Sequence, residues 1–184
     1  GASHQAIEDI AIMRALPNMT VISPADAVET KFAVKAAIEH DGPVYLRLGR
    51  LGVPVIYDES SYRYELGKGI TLSEGNELLR EEGIGARVID IHTIKPIDAD
   101  IIVKAARETG AIVTAEEHNI VGGLGGAVAE VLSENYPVPM LRVGVQDKFG
   151  KSGKPDKLLE MYGLTAADIA KAAKTLLKKK AGSK

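Results

Sequence analysis

The sequence predicts an α/β protein in which short parallel strands alternate with helices. Two short runs of strand-forming residues, Thr20-Val21-Ile22 and Val44 to Leu48, are bounded by turn residues and separated by a segment of helical character. The same rhythm resumes beyond residue 86, so the order is that of α/β units with a parallel sheet. The composition fits an aliphatic core: 45% of the 184 residues are hydrophobic, with two Phe, six Tyr and no Trp.

Charged residues make up 26% and the net charge is −2. That balance offers no basic field to a nucleic-acid backbone, and the few aromatics make poor platforms for unstacked bases. There are no cysteines, which rules out disulfides and thiolate chemistry. No run is long enough to cross a bilayer and no signal-peptide pattern opens the chain, so a cytoplasmic protein is expected. The first residues lead straight into a helix with no preceding strand, so a piece of a larger enzyme is expected.

Helix one is predicted from about Gln5 to Leu16, with Ile7, Ile10, Met13 or the stem of Arg14, and Leu16 on its apolar face. Pro17-Asn18 stops it. After the strand at Thr20-Val21-Ile22, Ser23 is expected to cap the second helix with Pro24 at its first position and Asp26 at its third. That helix runs to about His40 and ends at Asp41-Gly42-Pro43. The strand from Val44 delivers Gly49-Arg50 at its C-terminal edge. Leu51 to Glu65 lose periodicity and carry Pro54 and the polar run Asp58-Glu59-Ser60-Ser61, as a linker does.

Beyond it come a strand at Ala86–Ile91, a helix that follows Lys95-Pro96-Ile97-Asp98 and ends at Gly110, and a strand at Ala111–Ala115. Glu116-Glu117-His118-Asn119 then leads into a glycine-rich turn and a helix from about Gly125 to Asn135, followed by a strand at Met140–Val145. Thr165 and Asp168 form a capping box for the last helix, whose buried face is Ile169, Ala172 or Ala173, Leu176 and Leu177. Lys178-Lys179-Lys180 reads as a solvated helix end. The strand edges and apolar faces of residues 1–50 are expected to lean on their neighbours.

These residues resemble a known family. His4-Gln5-x-x-Glu8-Asp9-Ile10-Ala11, Pro17-Asn18-Met19-Thr20-Val21, Pro24-Ala25-Asp26 and Gly42-Pro43-Val44-Tyr45-Leu46-Arg47-Leu48-Gly49-Arg50 are similar to the second half of the transketolase pyrimidine-binding domain. Val88-Ile89-Asp90, Lys95-Pro96-Ile97-Asp98, Ala115-Glu116-Glu117-His118-Asn119, Gly122-Gly123-Leu124-Gly125-Gly126 and Asp147-Lys148-Phe149 resemble the transketolase C-terminal domain. The resemblance is strongest to the C-terminal subunit of a split transketolase. It implies an incomplete thiamine-diphosphate-fold pyrimidine domain over 1–58, a linker over 59–68, and a three-layer α/β C-terminal domain over 69–184. That second domain is expected to lack its first strand and part of its first helix, because little separates Thr71-Leu72-Ser73-Glu74-Gly75 from the helix stub at Leu78–Gly83.

The resemblance further implies a thiamine diphosphate- and Mg²⁺-dependent transfer of a two-carbon ketol unit between sugar phosphates, within the pentose phosphate pathway and carbohydrate metabolism. The cofactor and its metal would be held mainly by segments outside this chain, so no cofactor or metal ligand is assigned here. The chain is expected to need an N-terminal subunit or segment and to form a homodimer within a larger assembly. Relatives of deoxyxylulose-phosphate synthase or of the β subunit of a 2-oxo-acid dehydrogenase, and a non-catalytic assembly fragment, are the alternatives. Gln5 separates the first of these, where a second histidine would be expected.

His4 is the catalytic candidate by this resemblance, near the donor carbonyl or hydroxyls, and it also belongs to substrate binding. Helix capping is the structural alternative. Arg50 is the substrate-binding candidate, because a guanidinium on the loop after a parallel strand suits a phosphate monoester. Arg47 is its alternative, on the opposite face if the strand continues. Gly122 to Gly126 fail the clean G-x-G-x-x-G spacing and are expected to serve helix–strand packing. Glu116-Glu117-His118 is expected to be a polar strand-end loop at a subunit contact, with metal binding disfavoured by alternating directions. His40 reads as a helix C-terminal residue and His92 as a residue at a strand end.

Overall fold

The computed structural model describes residues 5–74 and 84–182. The stub at Leu78–Gly83 lies outside the described residues. Helix α1 spans Asp9–Ala15, shorter at both ends than the periodicity predicts, and Glu8 at its N-cap makes no side-chain capping bond. Ile10 is buried, whereas Leu16 stands 42% exposed and falls outside the apolar face expected of it. Strand β1 is Thr20–Ile22, helix α2 is Ala27–Glu39 and strand β2 is Val44–Leu46. The cap of α2 is Asp26, not Ser23: its carboxylate accepts the amide of Glu29 at 2.8 Å. A capping side chain must reach the third amide of the helix, and Asp26 is the residue at that distance. β1 and β2 pair in parallel through α2, giving the predicted β–α–β unit.

The next stretch carries no helix or strand up to β3, Ile70–Ser73. This strand holds the Thr71-Leu72-Ser73 run that precedes the expected gap, and the gap itself lies outside the described residues. β3 pairs antiparallel with β4, Val88–Asp90. Strand β5, Thr93–Lys95, follows and pairs antiparallel with β1. The three-stranded sheet is thus β2-β1-β5 and mixed, not wholly parallel. An open β1 edge would leave backbone groups of a buried strand without partners, and a strand from the later half supplies them.

Helix α3 spans Ala99–Thr109, capped by Asp98 at its start and by left-handed Gly110 at its end. Strand β6 runs from Ile112 to Asn119, longer than predicted. Helix α4, Leu124–Asn135, returns the chain to β7, Met140–Val145, which pairs in parallel with β6. Helix α5, Pro155–Tyr162, was legible in principle from Pro155 at its first position and Gly163 beyond its end. Helix α6, Ala166–Gly182, opens on the predicted capping box, in which the Asp168 carboxylate accepts the Thr165 amide and Thr165 Oγ1 accepts the Asp168 amide. Leu176 is buried but Leu177 is 38% exposed. Lys180 is not a solvated end: its ammonium donates to the Thr109 carbonyl at 2.7 Å and closes the last turn of α3.

Two cores share their borders. Ile102 and Ala106 of α3 pack with Val128, Val131 and Leu132 of α4. A second core joins Ile10 and Val21 of the early half to Ile94 and Ala127 of the later half, and Ile97 and Leu124 touch both. Burying each large aliphatic side chain contributes about 1.5–3 kcal/mol, so this shared packing alone couples the halves. Among the described residues no helix is long and apolar enough to cross a membrane.

Candidate functional site

The two halves meet at the N-terminus of α1. Asp9 is buried there, and its Oδ2 accepts the Tyr45 hydroxyl at 2.7 Å and Arg47 Nε at 2.8 Å. Burial alone would raise its pKa; the Tyr45 hydrogen bond and the Arg47 charge outweigh it and hold the carboxyl below its usual range. Burial, followed by Asp9, pushes the Tyr45 phenol up to about 12. Arg47 also donates through Nη2 to the Ala6 carbonyl at 3.3 Å and the Glu117 carbonyl at 3.0 Å. The amide of Asn119 donates to the Ile7 carbonyl at 2.6 Å. The segment directly after His4 is therefore fastened from the residue that follows β2 and from the end of β6.

His118 completes the seam. It is fully buried; Nδ1 donates to the Asn119 carbonyl at 2.6 Å, and Nε2 accepts the amides of Ile10 at 3.1 Å and Ala11 at 3.4 Å. Glu116 lies on the same face of β6, and its two oxygens accept the amides of Leu124 and Gly125 at the start of α4. Burial raises its pKa despite those donors. Glu117 alternates outward. The Glu116-Glu117-His118 run is thus part of β6 and buried at its first and third members, not a strand-end loop. Among the described residues no group of three or more metal-ligating side chains comes together.

The glycines after β6 have the packing role expected of them. A Cβ on Gly122 would sit 2.6 Å from Ala11 Cβ, and one on Gly123 would sit 2.0 Å from Glu116 Oε2. Arg14 ties the same turn by donating to the Gly122 carbonyl at 2.7 Å. The amides that would cradle a phosphate at this helix start already hold Glu116.

His4 lies outside the described residues. Arg50 is exposed beyond the end of β2 and makes no hydrogen bond or ion pair among the described residues. Because β2 stops at Leu46, strand alternation does not relate Arg47 to Arg50. Arg47 is committed to Asp9 and two carbonyls, which removes it as the anion-binding alternative. His40 caps the end of α2 and lies 3.1 Å from Thr20 Oγ1. His92 is fully buried and stacked on Tyr64, with ring centroids 4.5 Å apart; burial lowers its pKa.

A second buried polar cluster escaped the sequence reading. Glu29 accepts the Tyr62 hydroxyl, and its other oxygen accepts the Ala25 amide at 2.6 Å. Tyr57 donates to Asp90 at 2.7 Å, and Asp26 Oδ2 accepts the amides of Ile56 and Tyr57. Burial, with Asp90 nearby, pushes Glu29 up to about 7. The linker-like stretch is thus pinned to α2 and β4. Two of its tyrosines, Tyr57 and Tyr62, were the available signal, since buried phenols require partners.

These features define an α/β chain of two β–α–β units welded at a buried polar seam. Comparison with known proteins places it more closely. Residues 1–55 match the transketolase pyrimidine binding domain and residues 73–169 the transketolase C-terminal domain. A solved structure titled split gene transketolase, inactive beta4 tetramer, superposes with a TM-score of 0.92 at 52% identity, covering 97% of this chain and 64% of that one. A Methanocaldococcus jannaschii protein described as a transketolase C-terminal section is 45% identical over 97% of this chain and 62% of its own length. A 6-deoxy-6-sulfo-D-fructose transketolase subunit of Clostridium sp. is 41% identical over 98% of this chain and 61% of its own. The chain belongs to the transketolase family, and it spans somewhat under two thirds of the length of these relatives.

Thiamine diphosphate is the cofactor this family implies. The described residues do not fit its charged half: the one glycine-rich helix start is filled by Glu116, and no carboxylate group is arranged for a metal.

Proposed function

We propose that this chain is the C-terminal part of a thiamine diphosphate- and Mg²⁺-dependent transketolase that moves a two-carbon ketol unit between sugar phosphates. The observation that carries this reading is likeness over nearly the whole chain to proteins named as transketolase subunits. Residues 1–58 form the C-terminal half of the pyrimidine-binding domain, 59–68 the linker and 69–184 the C-terminal domain. The cofactor supplies the carbanion chemistry from segments outside this chain. His4 donates to the oxygens of the donor sugar and holds a proton there, and Arg50 pairs with the anionic end of the sugar. The Clostridium relative is named for a sulfo sugar, and a guanidinium suits that anion as well as a phosphate.

The partners in this reading are an N-terminal subunit and a second copy of this chain. The setting is the cytoplasm, in the pentose phosphate pathway. The inactive tetramer of the solved relative supports the need for a further subunit.

The test is a ketol-transfer assay with this chain, a purified N-terminal transketolase subunit, thiamine diphosphate and Mg²⁺, after the intact mass is compared with 19.6 kDa. Activity should appear only on mixing. His4→Ala should lower kcat by about 10²–10⁴-fold, the range of a lost proton-transfer group. Arg50→Ala should raise KM by roughly tenfold or more, as loss of a charge-assisted bond does. An inactive mixture with a full-length partner would overturn the reading.

A further inference from the structure

We propose that His118 is a positioning residue that sets the segment following His4, and so acts on the reaction from the C-terminal half of the chain. This rests on the reading that His4 serves ketol transfer.

Helix α1 has no side-chain cap of its own, because Glu8 makes no capping bond. The first amides of a helix need acceptors, and Ile10 and Ala11 find theirs in His118 Nε2, 108 and 107 residues away in sequence. The arrangement requires one tautomer. Nδ1 must carry the proton that it donates to the Asn119 carbonyl, leaving the Nε2 lone pair for the two amides. Glu116 Oε2 lies 3.8 Å from Nδ1 but is engaged by α4. Asp9 Oδ1, buried without a hydrogen-bond partner among the described residues, faces Nε2 at 3.9 Å, beyond hydrogen-bond distance, so the two nearer amides take the lone pair. The neighbouring bonds from Asn119 to Ile7 and from Arg47 to Ala6 act on the same segment. In sequence His4 precedes Ile7, whose carbonyl is pinned, by three residues, so the clamp holds the stretch to which His4 is joined.

The experiment uses the reconstituted complex with thiamine diphosphate and compares two neutral variants. His118→Gln keeps an oxygen near the Nε2 position, whereas His118→Asn reaches only the Nδ1 position. Asn should lower kcat about tenfold or more with KM for the donor sugar unchanged, and Gln should restore most of it. In a His4→Ala background the Asn variant should cost little further, because a residue acting through His4 has nothing left to position. Hydrogen exchange at Ile10 and Ala11 should accelerate in the Asn variant while Val131 and Leu132 stay protected. In the unaltered chain, the ring-nitrogen NMR shifts should report the Nδ1–H tautomer, a readout that needs no variant to fold.

An Nε2–H tautomer, unchanged exchange at Ile10 and Ala11, or full additivity with His4→Ala would overturn the proposal. So would faster exchange with unaltered kcat. The exchange and tautomer readouts need no activity, so an inactive mixture would sink the proposed function while these still decide the clamp.

Discussion

Arg47 Nε meets Asp9 Oδ2 at 2.8 Å beneath the start of α1, joining a residue just past β2 to the first buried carboxylate of the chain. Asp9 is 9% and Arg47 23% exposed in their side chains, so the pair is largely withdrawn from water. Arg47→Ala would leave the carboxylate without its cation and release the Ala6 and Glu117 carbonyls. The expected loss is roughly 2–4 kcal/mol, at the lower side of the range for broken buried pairs because Arg47 keeps some solvent contact. Urea unfolding at neutral pH measures it. Asp9 titrates below its ordinary value of 3.8, so its contribution is present above that range and disappears as the pH falls below it.

Glu29 has the opposite sign. Its folded pKa of about 7 exceeds the ordinary 4.5, so the folded chain holds a proton that the unfolded chain has lost. Stability from this group is complete below about pH 4.5 and declines as the pH rises toward and through 7. Relative to Glu29→Gln, which keeps a neutral side chain there, the denaturant midpoint of the unaltered chain should fall from pH 5 to 8; buried His92, whose pKa is lowered, adds the opposite slope to both proteins and cancels in the comparison.

Asp26 holds two structures with one carboxylate. Oδ1 caps α2 and Oδ2 takes the amides of Ile56 and Tyr57. Asp26→Ala should cost about 1–3 kcal/mol for each amide left buried without a partner. Asp26→Ser should recover the cap but not the linker. Limited proteolysis separates these, with cleavage between residues 47 and 60 rising in both variants while α2 amides stay protected only in the Ser form.

Gly123→Ala would drive a methyl group to 2.0 Å from Glu116 Oε2 and 2.7 Å from His118 Nδ1. The overpacking should destabilise by about 1–3 kcal/mol. Gly52→Ala, where nothing among the described residues lies within 4 Å of the added carbon, is the control and should leave the thermal midpoint nearly unchanged.

Local chemistry made much of this legible from residues alone. The Thr165–Asp168 capping box, Gly110 after α3, the β7 boundaries and both β–α–β units depend on neighbours a few positions apart. The residue-level motifs of the family are local too. Strand β5 escaped because Thr93-Ile94-Lys95 has no pattern of its own: its identity comes from the β1 edge it completes. The expected span of α1 exceeds the helix because the apolar period includes Ile7 and Leu16, which flank Asp9–Ala15 outside its ends.

The sequence by itself determined the class, the order of most elements, and the family to which His4 and Arg50 owe their assignment. Only the tertiary structure decided what the buried polar residues do. A carboxylate or an imidazole carries no mark in the sequence of which distant amide it will accept. Asp9, Glu29, Glu116 and His118 became a seam, a linker lock, a helix cap and a clamp because burial removed water and left them no partners but one another and the backbone.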